Sequence, residues 1–207
     1  ATASPELFVR VSAGPAGRAI CTGPIKGTAR TAAAMSDKDR AENVMIVDLM
    51  RNDLGRVCVT GSVEVPALLR VEEHPGLVHL VSDVIGTLRH DVGWAEIIDA
   101  AFPPGSVTGA PKSTACQMIA DLEPAARGPY CGAVGWVDAD TGEAELAVAI
   151  RTFWLRAGEV HFGTGAGITW GSDAQAEWAE TQLKAGRLLQ VAARTWSPAA
   201  AGGWTGC

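Results

Sequence analysis

Apolar positions change their period several times along this 207-residue chain, and each change predicts an element. Leu7–Val11 and Arg18–Thr22 read as strands of a hairpin, joined across Ser12–Gly17, where Gly and Pro supply the turn. Ser36 followed by Asp39 opens an apolar-periodic stretch that reaches about Asp53, with Gly55 as its stop; the pattern predicts a capped helix. From Val57 to Leu88, β-branched residues and Gly/Pro breaks predict strands, among them Leu77–Ile85. Trp94–Phe102 is helical in pattern, and Pro111 is placed to open a further helix to about Leu122. Strands are predicted at Cys131–Val137, Ala144–Leu155 and Val160–Gly165, the last two joined by Arg156–Glu159. A final helix is expected from a capping box at Ser172 and Gln175, with its period persisting to about Arg194. The class is α+β with antiparallel sheet dominant. One domain is expected over residues 1–196, and the Gly/Ala/Pro-rich residues 197–207 are expected to be disordered.

Composition narrows the possibilities. With 47% apolar residues the chain can bury a core, and a net charge of -6 argues against a nucleic-acid partner, which calls for a basic stripe. No run approaches the roughly 18 apolar residues of a membrane span, and the N-terminus has no signal-peptide pattern. Five cysteines without a CxxC pair imply reduced thiols, hence a cytoplasmic protein.

Two spacings carry candidate chemistry. Asp39 and Glu42 stand three apart on the first long helix, and Glu177 and Glu180 do the same on the last. That spacing sets each pair on one helix face, where like charges repel unless a cation sits between them. Were the two faces to converge, four carboxylates would suit a hard divalent cation such as Mg²⁺, which keeps waters and leaves positions for a substrate oxygen. The loop Gly105–Gly109 lacks the full spacing of a phosphate-binding loop and is not read as one.

The stretch Asp39–Arg56 (DRAENVMIVDLMRNDLGR) is similar to a signature of the chorismate-utilising enzymes. Further landmarks follow in the order of that family: Ser4-Pro-Glu6, Pro24-Ile-Lys-Gly-Thr28, His79-Leu-Val-Ser82, Gly105–Lys112, Tyr130–Gly135, Ile150-Arg-Thr152, Gly165–Ile168 and Ala176–Thr181. The chain thus resembles component I of anthranilate synthase and of aminodeoxychorismate synthase over residues 4 to about 194. The resemblance implies mostly antiparallel sheets packed as a sandwich with helices outside. It also implies that the chain is the C-terminal portion of such an enzyme, with the part preceding Ser-Pro-Glu missing.

Roles follow from the resemblance residue by residue. Glu42 and Glu180 would bind Mg²⁺, with Asp39 and Glu177 as its outer shell. Tyr130, Arg151 and the backbone of Gly165, Ala166 and Gly167 would receive the enolpyruvyl carboxylate of chorismate, and Gly27, Thr28 and Thr108 the rest of the substrate. Glu6 resembles the general acid at the C4 hydroxyl, and His79 is a second candidate for that proton. Lys26 stands where anthranilate synthases typically carry Ala; in the aminodeoxychorismate branch this lysine is the proposed nucleophile, and an amine attacks only when neutral. The implied reaction is chorismate plus ammonia giving 4-amino-4-deoxychorismate, on the route to 4-aminobenzoate and folate. Ammonia would come from a glutamine amidotransferase subunit or fused domain. Anthranilate synthase component I and an inactive chorismate-binding fragment remain the alternatives.

Overall fold

A computed structural model describes residues 1–14, 17–74 and 77–195, which form two compact units: one spans Ala1–Thr152 and the other starts at Phe153. The first unit is built on a single antiparallel sheet. Strands β1 (Leu7–Gly14) and β2 (Gly17–Gly23) form the expected hairpin, with Val11 opposite Ile20. The tip residues 15 and 16 lie outside the described set. Pro24 then interrupts the chain before β3 (Ile25–Ala29). Strand β5 (Leu77–Thr87) takes β2 and β3 in succession along one edge and β4 (Glu64–His74) along the other. Beyond β1 the sheet continues through β7 (Ala144–Val148) to β6 (Ala133–Val137).

Register shifts explain departures from simple alternation. Phe8 and Val9 are adjacent yet both buried, because the pairing of β1 slips there on both sides. An extra residue in one strand turns consecutive side chains inward. The slip also sits next to Glu6, whose carbonyl accepts the Val148 N–H at 3.0 Å.

Helix α1 (Asp37–Gly55) forms as its spacing predicts. The Ser36 hydroxyl accepts the Asp39 N–H, and the Asp39 carboxylate accepts the Ser36 N–H, so the first turn satisfies donors that a helix end otherwise leaves open. Its buried stripe is Asn43, Ile46, Val47, Met50, Asp53 and Leu54, three or four apart, and it packs against β5, β3 and β4. With Phe8, Val9, Val11, Ile20, Val84 and Val148 the apolar members of the stripe form the main core. Each such side chain is worth about 1.5–3 kcal/mol on burial.

Helices α2 (Trp94–Ala101), α3 (Gly105–Thr108) and α4 (Lys112–Leu122) follow β5. Pro111 is the residue before α4 rather than its first residue, with ψ at 138°. Lys112 ties this segment to the core. Its ammonium reaches Asp53 at 2.6 Å and the Ala101 carbonyl at 3.0 Å, joining α1, α2 and α4.

The predicted strand over 144–155 is two strands. After β7 the chain turns at Arg151 (φ 49°), and Thr152 leaves the ladder to meet Thr2. The left-handed turn at Arg151 ends the extended run here. In the second unit, β8 (Phe153–Arg156) and β9 (Glu159–Phe162) pair across Ala157 and Gly158, both at positive φ, as a two-residue hairpin requires. Helix α5 (Ala174–Thr195) starts one residue later than the expected box. Asp173 caps it by accepting the Ala176 N–H at 2.9 Å, while Ser172 turns its hydroxyl to Glu177 at 2.6 Å. The tail 197–207, expected to be disordered, lies outside the described residues. Among the described residues the thiols of Cys21, Cys58, Cys116 and Cys131 are free, and no helix is long and apolar enough to cross a membrane.

Candidate active site

Glu6 is brought to Lys26 by the sheet. The slip in β1 sets Glu6 at the mouth of the strand, and β3 carries Lys26 beyond Pro24. Glu6 is only 4% exposed. Burial pushes its carboxyl above the ordinary carboxylate range; the Ser106 side chain, the Lys26 charge and the Ile25 N–H oppose that rise without cancelling it. Lys26 donates to the Ser106 carbonyl at 2.7 Å. The Ser106 hydroxyl stands near enough to favour the charged form of Glu6 but makes no hydrogen bond of good geometry, and one Glu6 oxygen is buried without a partner. A buried carboxyl with an open oxygen beside an amine marks a candidate functional site, since an unpaired buried polar atom costs stability.

A second group lies along β3 and β5. Thr28 pairs with His79 in register, and its hydroxyl meets His79 Nδ1 at 2.9 Å. His79 is buried, its ring is 5.1 Å from that of His74, and its pKa is lowered by desolvation, by His74 and by the Arg151 charge, against a smaller pull from Glu72. Neutral imidazole is therefore the favoured form at neutral pH. Thr28 and His79 are thus in contact, and the Arg151 charge is near enough to act on the imidazole.

Tyr130 and Arg151 sit on adjoining segments, because the Cys131 N–H donates to the Ala149 carbonyl at 3.0 Å. Cys131 (φ 65°) and Arg151 (φ 49°) are both left-handed without being glycine. Such conformations cost about 1–3 kcal/mol each and persist where the surroundings impose them. Burial raises the Tyr130 phenol well above its usual range, so it stays a neutral donor. Arg127 lies 6.0 Å from the Tyr130 ring centre and also grips Glu123 and the Val107 carbonyl. Thr108 donates to the Pro104 carbonyl within its own turn.

The carboxylate pairs differ in setting. Asp39 Oδ2 accepts from the Ser36 N–H and hydroxyl, and its side chain backs onto Gly27. A Cβ at Gly27 would meet Asp39 Cβ at 2.9 Å, and φ there is 87°, so only glycine fits. Glu42 Oε1 is buried without a hydrogen bond, with Lys38 Nζ 3.7 Å away. Glu177 is buried and accepts from Ser172; Glu180 pairs with Lys184 at 2.6 Å, and Lys184 also reaches the Gly165 carbonyl at 3.4 Å, so Gly165 and Glu180 share a cation. Asp39 and Glu42 belong to the first unit, Glu177 and Glu180 to the second. Among the described residues no three His, Cys, Asp or Glu side chains gather as a metal cluster.

Two positions escaped the sequence reading. Asn43 is fully buried, donates to the Leu80 carbonyl at 3.1 Å and accepts the Ser82 hydroxyl at 2.6 Å; Ser82 in turn accepts the Leu69 N–H. This chain of bonds fixes the rotation of α1 on β5, and so the placement of Glu42. The signal was present: Asn43 holds the apolar phase of Ile46, Val47 and Met50. Ser106 carried no such signal.

A family model described as chorismate binding enzyme matches residues 1–190. The chain is 44% identical to anthranilate synthase component 1 of Saccharolobus solfataricus, over 87% of this chain and 45% of that protein. It is 43% identical to aminodeoxychorismate synthase component 1 of Salmonella typhimurium, over 90% and 42% respectively. The crystal structure of anthranilate synthase component I from Streptococcus pneumoniae superposes with a TM-score of 0.79 at 39% identity, covering 90% of this chain and 42% of that one. The chain therefore spans less than half the length of each of these three relatives.

Proposed function

The chain belongs to the chorismate-binding enzyme family, and from that premise we propose that it serves the aminodeoxychorismate synthase component I reaction, converting chorismate and ammonia to 4-amino-4-deoxychorismate and water. The observation that carries the reading is the placement of Lys26. Its amine is part-buried beside Glu6 instead of standing at a surface turn. In this reading the Lys26 amine attacks C2 of the ring while Glu6 gives its proton to the departing C4 hydroxyl, which leaves as water. Ammonia then adds at C4 and Lys26 is released. The raised Glu6 carboxyl has the direction that a proton donor near neutrality needs. Neutral His79, hydrogen-bonded to Thr28, orients the same hydroxyl. Tyr130 and Arg151 receive the enolpyruvyl carboxylate with Gly165, Ala166 and Gly167; Gly27 and Thr108 complete the ring site.

Magnesium fits the donor set: Glu42 offers a buried carboxylate oxygen with no hydrogen bond, which a hard cation would satisfy. Glu42 and Glu180 would hold it, with Asp39 and Glu177 orienting its waters. When bound it would supply charge stabilisation at the ring carboxylate. Ammonia would be delivered by a glutamine amidotransferase subunit or fused domain, in the cytoplasm.

Anthranilate synthesis is the second reading, favoured by the 44% identity to a component 1 of that name. Incubation with chorismate, Mg²⁺ and an ammonium salt, with products identified by mass spectrometry, separates the two. The expected product is aminodeoxychorismate without anthranilate, formed roughly a hundredfold or more slowly by Lys26→Ala. Anthranilate as the product, with Lys26→Ala unimpaired, would overturn the proposal.

A further inference from the structure

Helix α3 is a single turn, yet it is held from three sides. A Cβ at Gly105 would lie 2.4 Å from Leu49 Cδ2, so this turn presses directly on α1. The Val107 carbonyl accepts Arg127 at 2.8 Å, and Arg127 is itself fixed by Glu123. At the turn's end Gly109 takes φ 138°, and the Thr108 hydroxyl closes on the Pro104 carbonyl at 3.0 Å. The residue so fixed is Ser106, only 7% exposed. Its carbonyl accepts the Lys26 amine at 2.7 Å. Its hydroxyl, buried and without a well-formed hydrogen bond, lies on the Glu6 side, where one carboxyl oxygen is likewise unpartnered.

We infer that Ser106 is a positioning residue for the proposed reaction: its carbonyl holds the Lys26 amine, and its buried, open hydroxyl stands on the side of the open Glu6 oxygen. The inference rests on the functional reading above for its chemical meaning, and on the Lys26–Ser106 bond and the two open buried oxygens for its structure. Two groups with opposite proton needs must work at one ring: Glu6 has to give a proton and Lys26 has to be without one. A rigid residue bridging them sets their separation and keeps the amine from folding onto the carboxylate as an ion pair. The open hydroxyl geometry leaves room for Glu6 to turn its proton towards a substrate oxygen. Burial is the largest influence on Glu6; against it stand Ser106 itself, the Lys26 charge and the Ile25 N–H.

The test reads Glu6 directly, without substrate. The full chain is labelled with ¹³C at the glutamate side-chain carboxyl, and the Glu6 signal is identified by its loss in Glu6→Gln. The hydroxyl favours the charged form of Glu6, so Ser106→Ala should move the Glu6 midpoint to higher pH, and Ser106→Thr should return it towards the original. In turnover, the alkaline limb of the kcat profile should move the same way. An unchanged Glu6 midpoint in a folded Ser106→Ala protein would overturn the inference. If the alanine variant does not fold, Ser106→Cys keeps the volume with a weaker donor; a rise again supports the inference and no movement refutes it. Because the titration needs no chorismate, a failure of the Glu6 shift and a failure to make aminodeoxychorismate are read separately.

Discussion

Helices α1 and α5 carry the same device, two acidic residues three apart, and fold it into opposite settings. On α1 the second carboxylate, Glu42, has a side chain 18% exposed and an oxygen with no hydrogen bond. On α5 its counterpart Glu180 is 51% exposed and closed by Lys184. The reason lies in the rest of each helix. α1 buries a continuous stripe from Asn43 to Leu54, and Asn43 bolts it to β5. α5 leaves Trp178, Leu183, Leu189 and Val191 exposed, with Ala185 and Glu177 among its buried residues. Glu42 is thus placed by a core, whereas Glu180 is held by a bond within four residues of sequence. The helical spacing makes a pair of carboxylates; packing decides how far each is buried.

The largest expected effect removes the bolt. Asn43→Ala strips two buried bonds and leaves the Ser82 hydroxyl and the Leu80 carbonyl short of a partner. The expected loss is about 3 kcal/mol of unfolding free energy. The matching position on α5, one residue beyond Glu180, is half-buried Thr181. Thr181→Ala should cost under about 0.5 kcal/mol, as for a surface substitution. Urea unfolding followed by circular dichroism measures both. Equal losses would mean that α5 is fixed as firmly as α1 and would remove the contrast.

What could be read beforehand follows the same division. The Ser36–Asp39 box, the extent of α1, the β1–β2 hairpin and the Ala157-Gly158 turn are all local, and local chemistry announces them. Strand β3 was not expected, because Pro24 and Gly27 break the apolar pattern of Pro-Ile-Lys-Gly-Thr; its pairing with β5, about fifty residues away, makes it a strand. The break at Arg151 was hidden for a related reason: no Gly or Pro marks a left-handed residue imposed by tertiary context. The site divides likewise. Glu6, Lys26, Thr28 and His79 were named from motifs, but the meeting of Glu6 with Lys26 depends on a strand slip in β1 and on Ser106, and neither has a local signature. At α5 the capping pattern Ser172/Gln175 was one residue out, since a serine and an aspartate in succession both qualify and the backbone took Asp173.

A middle-sized effect tests the caps. Ser36→Ala and Asp173→Ala each remove a side-chain acceptor from a helix start, worth about 1 kcal/mol. Because α1 shares the main core, its loss should appear in the global melting transition. The loss at α5 should appear as faster amide exchange in the first turn, with the global transition little changed. A global shift for Asp173→Ala as large as for Ser36→Ala would show that α5 melts together with the core.

The smallest effect concerns the cation that closes Glu180. Lys184 and Glu180 stand four apart on an exposed helix face, each about half exposed. Such a pair is screened by water and salt and is worth a few tenths of a kcal/mol at most. Lys184→Met keeps the aliphatic stem and removes the charge, so the melting temperature should change by no more than about 1–2 °C. The carboxylate on α5 could then be released to a cation at almost no cost to the fold, whereas Glu42 on α1 has its opening built in by Asn43 and the buried stripe. A loss above about 1 kcal/mol in Lys184→Met would contradict this. It would mean that the lysine, through Glu180 and the Gly165 carbonyl, is a structural clamp for the segment that precedes α5.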